Sequence, residues 1–273
     1  MSKLLIILVA VIFSGCSRSI RLAVPEQFKR QAELMPVKGA RSNHISFGAY
    51  KTSKIKRGFN IISTGPGRWF FLENLLLNEI GMRKDEIVSN EKDKMHFSIS
   101  GGKVGAEVYA REIAVTKTIS YKIGNGGGIF DGFSRLQQYR YVFSAIIATD
   151  TAPGSRPWEM IMTNSYDRRK DTVNSFFTIV PPGDNGFATN GTDTIFIKPL
   201  TIQKTESVKG RQGWLPMKIL SGYELRIEDG VIAIIDAIDH NIWVYNELDG
   251  GTRLVVSGIS TALFARRVKD IKW

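Results

Sequence analysis

From about Ile45 onward, short runs rich in β-branched and aromatic residues alternate with clusters of turn residues. The runs fall at 45–52, 57–64, 94–100, 103–110, 112–122, 138–149, 157–164, 173–180, 193–205, 216–220, 222–228, 230–238 and 241–246. Turn clusters between them include Gly65-Pro66-Gly67, Gly101-Gly102, Asn190-Gly191 and Asp229-Gly230. Many short strands spaced by such turns predict an all-β domain. The clearest hairpin is Tyr223–Ile227, Glu228-Asp229-Gly230, then Val231–Ile238, because glycine accepts positive φ at a tight turn.

Two stretches carry a helical period instead. Over 69–82, Trp69, Leu72, Leu76 and Ile80 recur at spacings of three and four, with Glu73, Asn74 and Asn78 opposite. A strand pair is the alternative reading there. Over 251–267, Leu254, Val255, Ile259, Ala262 and Leu263 are separated only by small, weakly polar residues. A helix apolar nearly all round belongs in a core.

A strand hairpin (GYELRIEDGVIAIIDAIDHNIWVY), an acidic turn and then this apolar helix resemble the end of tubby-like and LURP-one-like domains. The resemblance covers only the C-terminal part of the chain. It implies an antiparallel β-barrel of about a dozen strands with a buried C-terminal hydrophobic helix, leaving no sheet edge exposed. A β-sandwich with the last helix packed on one face is the competing architecture.

The first residues read differently. Lys3 is followed by ten apolar residues, Leu4–Phe13, then Ser14-Gly15-Cys16. Ten residues of helix reach about 15 Å, too short for a hydrocarbon core of about 30 Å, so an export signal is favoured over a membrane span. Phe13-Ser14-Gly15-Cys16 resembles the bacterial lipobox, departing from it at Phe13, where leucine is commonest. The resemblance implies cleavage before Cys16 and acylation of that residue, making it a lipoprotein held in a membrane of the cell envelope. Ser17 in place of aspartate favours the outer membrane over the inner one. The expected organisation is a signal peptide at 1–15, a lipid-anchored tether at 16–44 with a short helix near Glu26–Leu34, and one β-rich domain at 45–273.

Charge bears on partners. Lys and Arg number 37 against 26 Asp and Glu, a net charge of +11, which favours anionic lipid or another polyanionic envelope component. The densest basic run, Arg168-Arg169-Lys170, is the candidate anionic-surface site, and Arg266-Arg267 with Lys269 and Lys272 form a second basic group. Export and the lack of any nucleic-acid-reading motif exclude nucleic acid as the expected partner.

Catalytic signals are sparse. Cys16 is the sole cysteine, so no internal disulfide forms, and His44, His96 and His240 lie far apart, without the close ligand spacing of a zinc site. No G-x-S-x-G elbow occurs, and Gly124–Gly128 lacks the Lys-Ser/Thr of a P-loop. No metal and no cofactor are expected. The sequence thus points to a non-enzymatic structural or binding module of the envelope, with a lipid- or glycan-acting hydrolase as the alternative.

Overall fold

The computed structural model describes residues 22–40, 42–68, 70–79, 82–123, 133–150, 155–170, 184–206 and 212–266. The leader, Cys16, the predicted strand at 173–180 and the Gly124–Gly128 run lie outside the described residues.

The protein is mainly β. Its strands are β1 (Ala32–Pro36), β2 (Ser46–Phe47), β3 (Tyr50–Thr52), β4 (Lys56–Arg57), β5 (Ile61–Pro66), β6 (Met82–Gly101), β7 (Val104–Ile123), β8 (Phe133–Thr149), β9 (Trp158–Asp167), β10 (Asn185–Thr189), β11 (Thr194–Glu206), β12 (Gln212–Ile227), β13 (Gly230–Asp236) and β14 (Asn241–Tyr245). The helices are α1 (Glu26–Arg30), α2 (Phe71–Asn78) and α3 (Gly250–Ala265).

Twelve strands pair antiparallel in the order β1-β14-β13-β12-β11-β10-β9-β8-β7-β6-β3-β2, while β4 and β5 continue the line of β3 along β6. The path returns on itself. Lys38, just past β1, and Ser46 of β2 exchange two backbone hydrogen bonds of 2.8 and 3.0 Å. The result is a nearly closed barrel, the architecture expected from the sequence, and not a sandwich.

Alternation sorts the two faces. Along β9, Trp158, Met160, Met162 and Tyr166 are buried inward, while Glu159 and Thr163 face out. Lys94, Glu107, Arg111, Glu159 and Lys198 all occupy exposed outward positions on a barrel whose interior is mainly apolar. A membrane-spanning barrel has the reverse arrangement, with an apolar outer band.

Helix α3 fills the interior, with every residue from Leu254 to Ala265 buried. Burial of each large apolar side chain there stabilises the fold by about 1.5–3 kcal/mol. Asp249 caps the first turn, accepting hydrogen bonds from the N–H groups of Gly251 and Thr252 at 2.9 and 3.0 Å. Ser257 and Ser260 satisfy their hydroxyls on the carbonyls of Arg253 and Val256, which lets a polar atom sit in the core without an orphaned donor. Gly258 gives α3 its close approach to the wall, since a Cβ there would lie 3.1 Å from Ile147 Cγ2.

Several boundaries differ from those read in the sequence. Residues 32–36, placed in the tether, form β1 and pair with β14, with Met35 in the core. The expected helix near Glu26–Leu34 stops at Arg30. β6 and β7 each run for 20 residues, β6 extending the strand expected at 94–100 and β7 joining those expected at 103–110 and 112–122. Their outer halves extend past the barrel body, so they are only partly buried on both faces and lose the alternation that marks a half-buried strand. β10 lies outside the strands expected from the sequence. Its Gly186 is a close-contact position, where a Cβ would fall 2.2 Å from the Ile161 carbonyl oxygen.

The sharpest difference is in α2. Its sequence pattern sets Leu72 and Leu76 against the protein and Asn74 toward water. In the structure Asn74 docks on β6, and Phe71, Leu72, Leu75 and Leu76 are exposed.

The antiparallel order also assigns every connection to an end. The chain enters β1 at the end that holds the turns at 102–103, 190–193 and 228–229 and the start of α3. The opposite end holds α2, the 3-10 turn Arg168–Lys170 and the turn at 237–240.

Candidate functional site

A barrel filled by its own helix presents its outside to ligands, and there a groove of about 870 Å³ crosses strands β6 to β10. Its walls are two neighbouring rows of outward side chains. One row runs His96, Tyr109, Ile146, Glu159, and the other Lys94, Arg111, Ser144, Ile161, Phe187. The floor is the backbone of the row between them, Met95–Ala110–Ala145–Met160, whose side chains point into the core. Alanine at two of these four positions belongs to the interior surface, where α3 runs along β7 and β8.

The groove is amphiphilic. Tyr109, Ile146, Ile161 and Phe187 are each exposed by 39–52% and give it an apolar lining. Lys94 and Arg111 bring positive charge to one side and Glu159 a carboxylate to the other. His96 stacks on Tyr109 with ring centroids 4.3 Å apart, and its Nε2 lies 2.6 Å from Glu107 Oε2. Aromatic and aliphatic surface beside a few oriented polar groups is the usual make-up of a small-molecule site.

A second cluster lies inside the barrel, at the C-terminal end of α3. Arg266 is buried, with Nη1 2.5 Å from Asp184 Oδ2 and Nη2 donating to the Tyr223 hydroxyl at 2.5 Å. Its guanidinium also faces the rings of Tyr141, Phe143 and Tyr223 at 5.2–5.9 Å. Burial alone would lower its pKa, but Tyr223, Tyr141 and Asp184 outweigh that and hold it well above its ordinary value. Burial pushes the phenols of Tyr141 and Tyr223 up. The Tyr141 hydroxyl donates to Glu112 Oε2 at 2.9 Å. Arg57 Nη2 donates to the Ala265 carbonyl at 2.6 Å, and its Nη1 lies 3.5 Å from buried Asp93. Cations placed on the last carbonyls of a helix satisfy acceptors that have no partner within it. The cluster fixes the end of α3 to strands on both sides of the barrel.

Of the residues singled out from sequence, Cys16 lies outside the described residues. Arg168, Arg169 and Lys170 form the 3-10 turn after β9, with Arg169 and Lys170 exposed, at the barrel end opposite the one where the chain enters. They do not line the groove. Arg266, read from sequence as part of a basic group after the terminal helix, is buried against Asp184, because a helix filling the barrel delivers its last residue to the interior. The three histidines stay apart: His44 in the loop before β2, His96 on the groove rim, and His240 in the turn before β14, at a φ of 54°.

Sequence reasoning missed the groove residues. The available signal was Tyr141–Ile147 (YVFSAII), where apolar residues occupy both parities of one strand and so must face outward as well as inward. It also missed Glu112, Asp184 and Tyr223, whose partners are 29 to 82 residues away in the chain. Comparison with known protein families, with curated proteins and with solved structures finds no match for this chain.

Proposed function

We propose that this protein is an exported lipoprotein, anchored in a membrane of the cell envelope through acylated Cys16, that acts as a non-enzymatic binding module. The outer membrane is the favoured site, from Ser17. The observation that carries the binding role is the position of α3. It occupies the barrel interior and leaves a large concave groove on the outside. The helix-filled barrel also supports the resemblance to tubby-like domains. The groove suits an amphiphilic envelope component, its apolar part against Tyr109, Ile161 and Phe187 and its anionic part toward Lys94 and Arg111.

Site-specific photo-crosslinking in intact cells tests this. A benzophenone side chain at Phe187 or Tyr109 is expected to capture a defined species, and the same group in the turn at Lys103 to capture none. Equal labelling from all three positions, or from none, contradicts a groove ligand.

One observation favours a second reading, the envelope hydrolase: the His96–Glu107 pair stands on the rim of the same groove. Turnover of lipid-ester or glycan reporters that is lost in His96→Ala would establish it in place of the binding module.

A further inference from the structure

Helix α2 turns its apolar face away from the protein. Phe71, Leu72, Leu75 and Leu76 are 63%, 71%, 59% and 69% exposed. At 100° per residue these four positions span an arc of about 140°. The opposite side holds the helix down: Phe70 is buried, and Asn74 bonds to the Lys84 backbone. A contiguous exposed apolar face of this kind marks an interaction surface and not a folding requirement.

We propose that α2 is a bilayer-contact helix, its outward face partitioning into the interfacial region of an anionic membrane. Three observations on the same end of the molecule identify the occupant. The face is built from leucine and phenylalanine, which suits a fluid apolar phase. Trp214 at the start of β12 is 67% exposed at that end, and tryptophan favours the membrane–water boundary. Cations stand at the same end: Arg68 and Arg83 are exposed, and Lys84 sits 4.0 Å over the Phe70 ring beneath the helix. Arg169 and Lys170 stand across the sheet at the same end. The nearby carboxylates of Asp85 and Glu86 face Arg83, Lys122 and Lys117, which leaves Glu73 and Glu79 as the acidic groups of the helix itself.

The contact is remote from where the chain enters the barrel. β6 alone runs nineteen steps from its α2 end to its other end, about 60 Å at about 3.3 Å per residue. A chain anchored at Cys16 therefore reaches a bilayer through α2 either by lying along its own membrane or by touching an apposed one. This geometry rests on the anchored reading, whereas the partitioning of α2 does not.

The test uses the full chain, purified from membranes and reconstituted into vesicles of phosphatidylcholine with phosphatidylglycerol. Leu75→Cys carries an environment-sensitive fluorophore, Cys16 being blocked when acylated. Bromolipid quencher is placed either in the host vesicles or in added vesicles of the same composition. Quenching in either arm, and its weakening by at least about tenfold in the Leu72→Ser/Leu76→Ser background through loss of two leucine side chains, is the expected result. Thermal stability of that background should be unchanged, since both leucines already face water. No quenching in either arm overturns the proposal, as does equal quenching with the leucines replaced. A concentration-dependent change without lipid overturns it in favour of a second copy of the chain. Protein that does not stay with the host vesicles yet is quenched by added ones refutes the anchor and retains the role of α2.

Discussion

Asn74 grips Lys84 through both halves of its carboxamide, Nδ2 donating to the Lys84 carbonyl at 2.8 Å and Oδ1 accepting the Lys84 N–H at 2.6 Å. β5 ends opposite Ile87, so the edge of β6 would otherwise carry open backbone groups at this level. The side chain stands in for a strand residue, and this is why the polar side of α2 faces the sheet. Asn74→Ala removes two hydrogen bonds worth about 0.5–1.5 kcal/mol each. The expected outcome is local: faster amide exchange at Lys84 and faster proteolysis between Gly67 and Met82, with little change in the global melt.

The two helices should respond oppositely to the same substitution. Leu263 is buried in α3, so Leu263→Ala is expected to destabilise by about 2–5 kcal/mol. Leu72→Ala in α2 should change the unfolding free energy, measured in urea, by less than about 0.5 kcal/mol. Equal effects would place α3 on the surface or α2 in the core.

How much of this was legible follows from locality. The β content, the hairpin at Glu228-Asp229-Gly230 and the buried C-terminal helix rest on residues a few positions apart, and pattern reasoning reaches them. The orientation of α2 does not, because the backbone group that Asn74 bonds belongs to a strand edge, which the helical period alone does not show. Arg266 carries no local sign of burial either, since its partners Asp184 and Tyr223 are supplied by distant strands. The groove becomes visible only when five strands are in register, although the doubly apolar run in β8 was a partial sign of it.

The Arg266–Asp184 pair should behave as a buried ion pair. Asp184→Leu leaves a buried guanidinium without its carboxylate and is expected to destabilise by about 3–5 kcal/mol. Adding Arg266→Met should recover most of that loss. A double-mutant cycle by chemical denaturation measures the coupling.

Acid sensitivity has an identifiable contributor. Burial acts to raise the Glu86 pKa, but the Arg68 N–H at 2.6 Å and Lys117 Nζ at 3.1 Å outweigh it, and the carboxyl ends below its ordinary value of 4.5. A group depressed in the folded state contributes stability above its unfolded pKa and loses it as pH falls through the folded one. Unfolding free energy should therefore decline below about pH 4.5, and Glu86→Gln should flatten that part of the curve.

The anchored reading is tested most directly by mass spectrometry of the N-terminal peptide from membrane-associated protein. The expected peptide begins at Cys16, with diacylglycerol on the sulfur and an acyl chain on the amine, and Cys16→Ser abolishes both processing and membrane retention. A membrane-associated chain whose Cys16 carries a free thiol, or a Cys16→Ser chain that fractionates like the wild type, would contradict it.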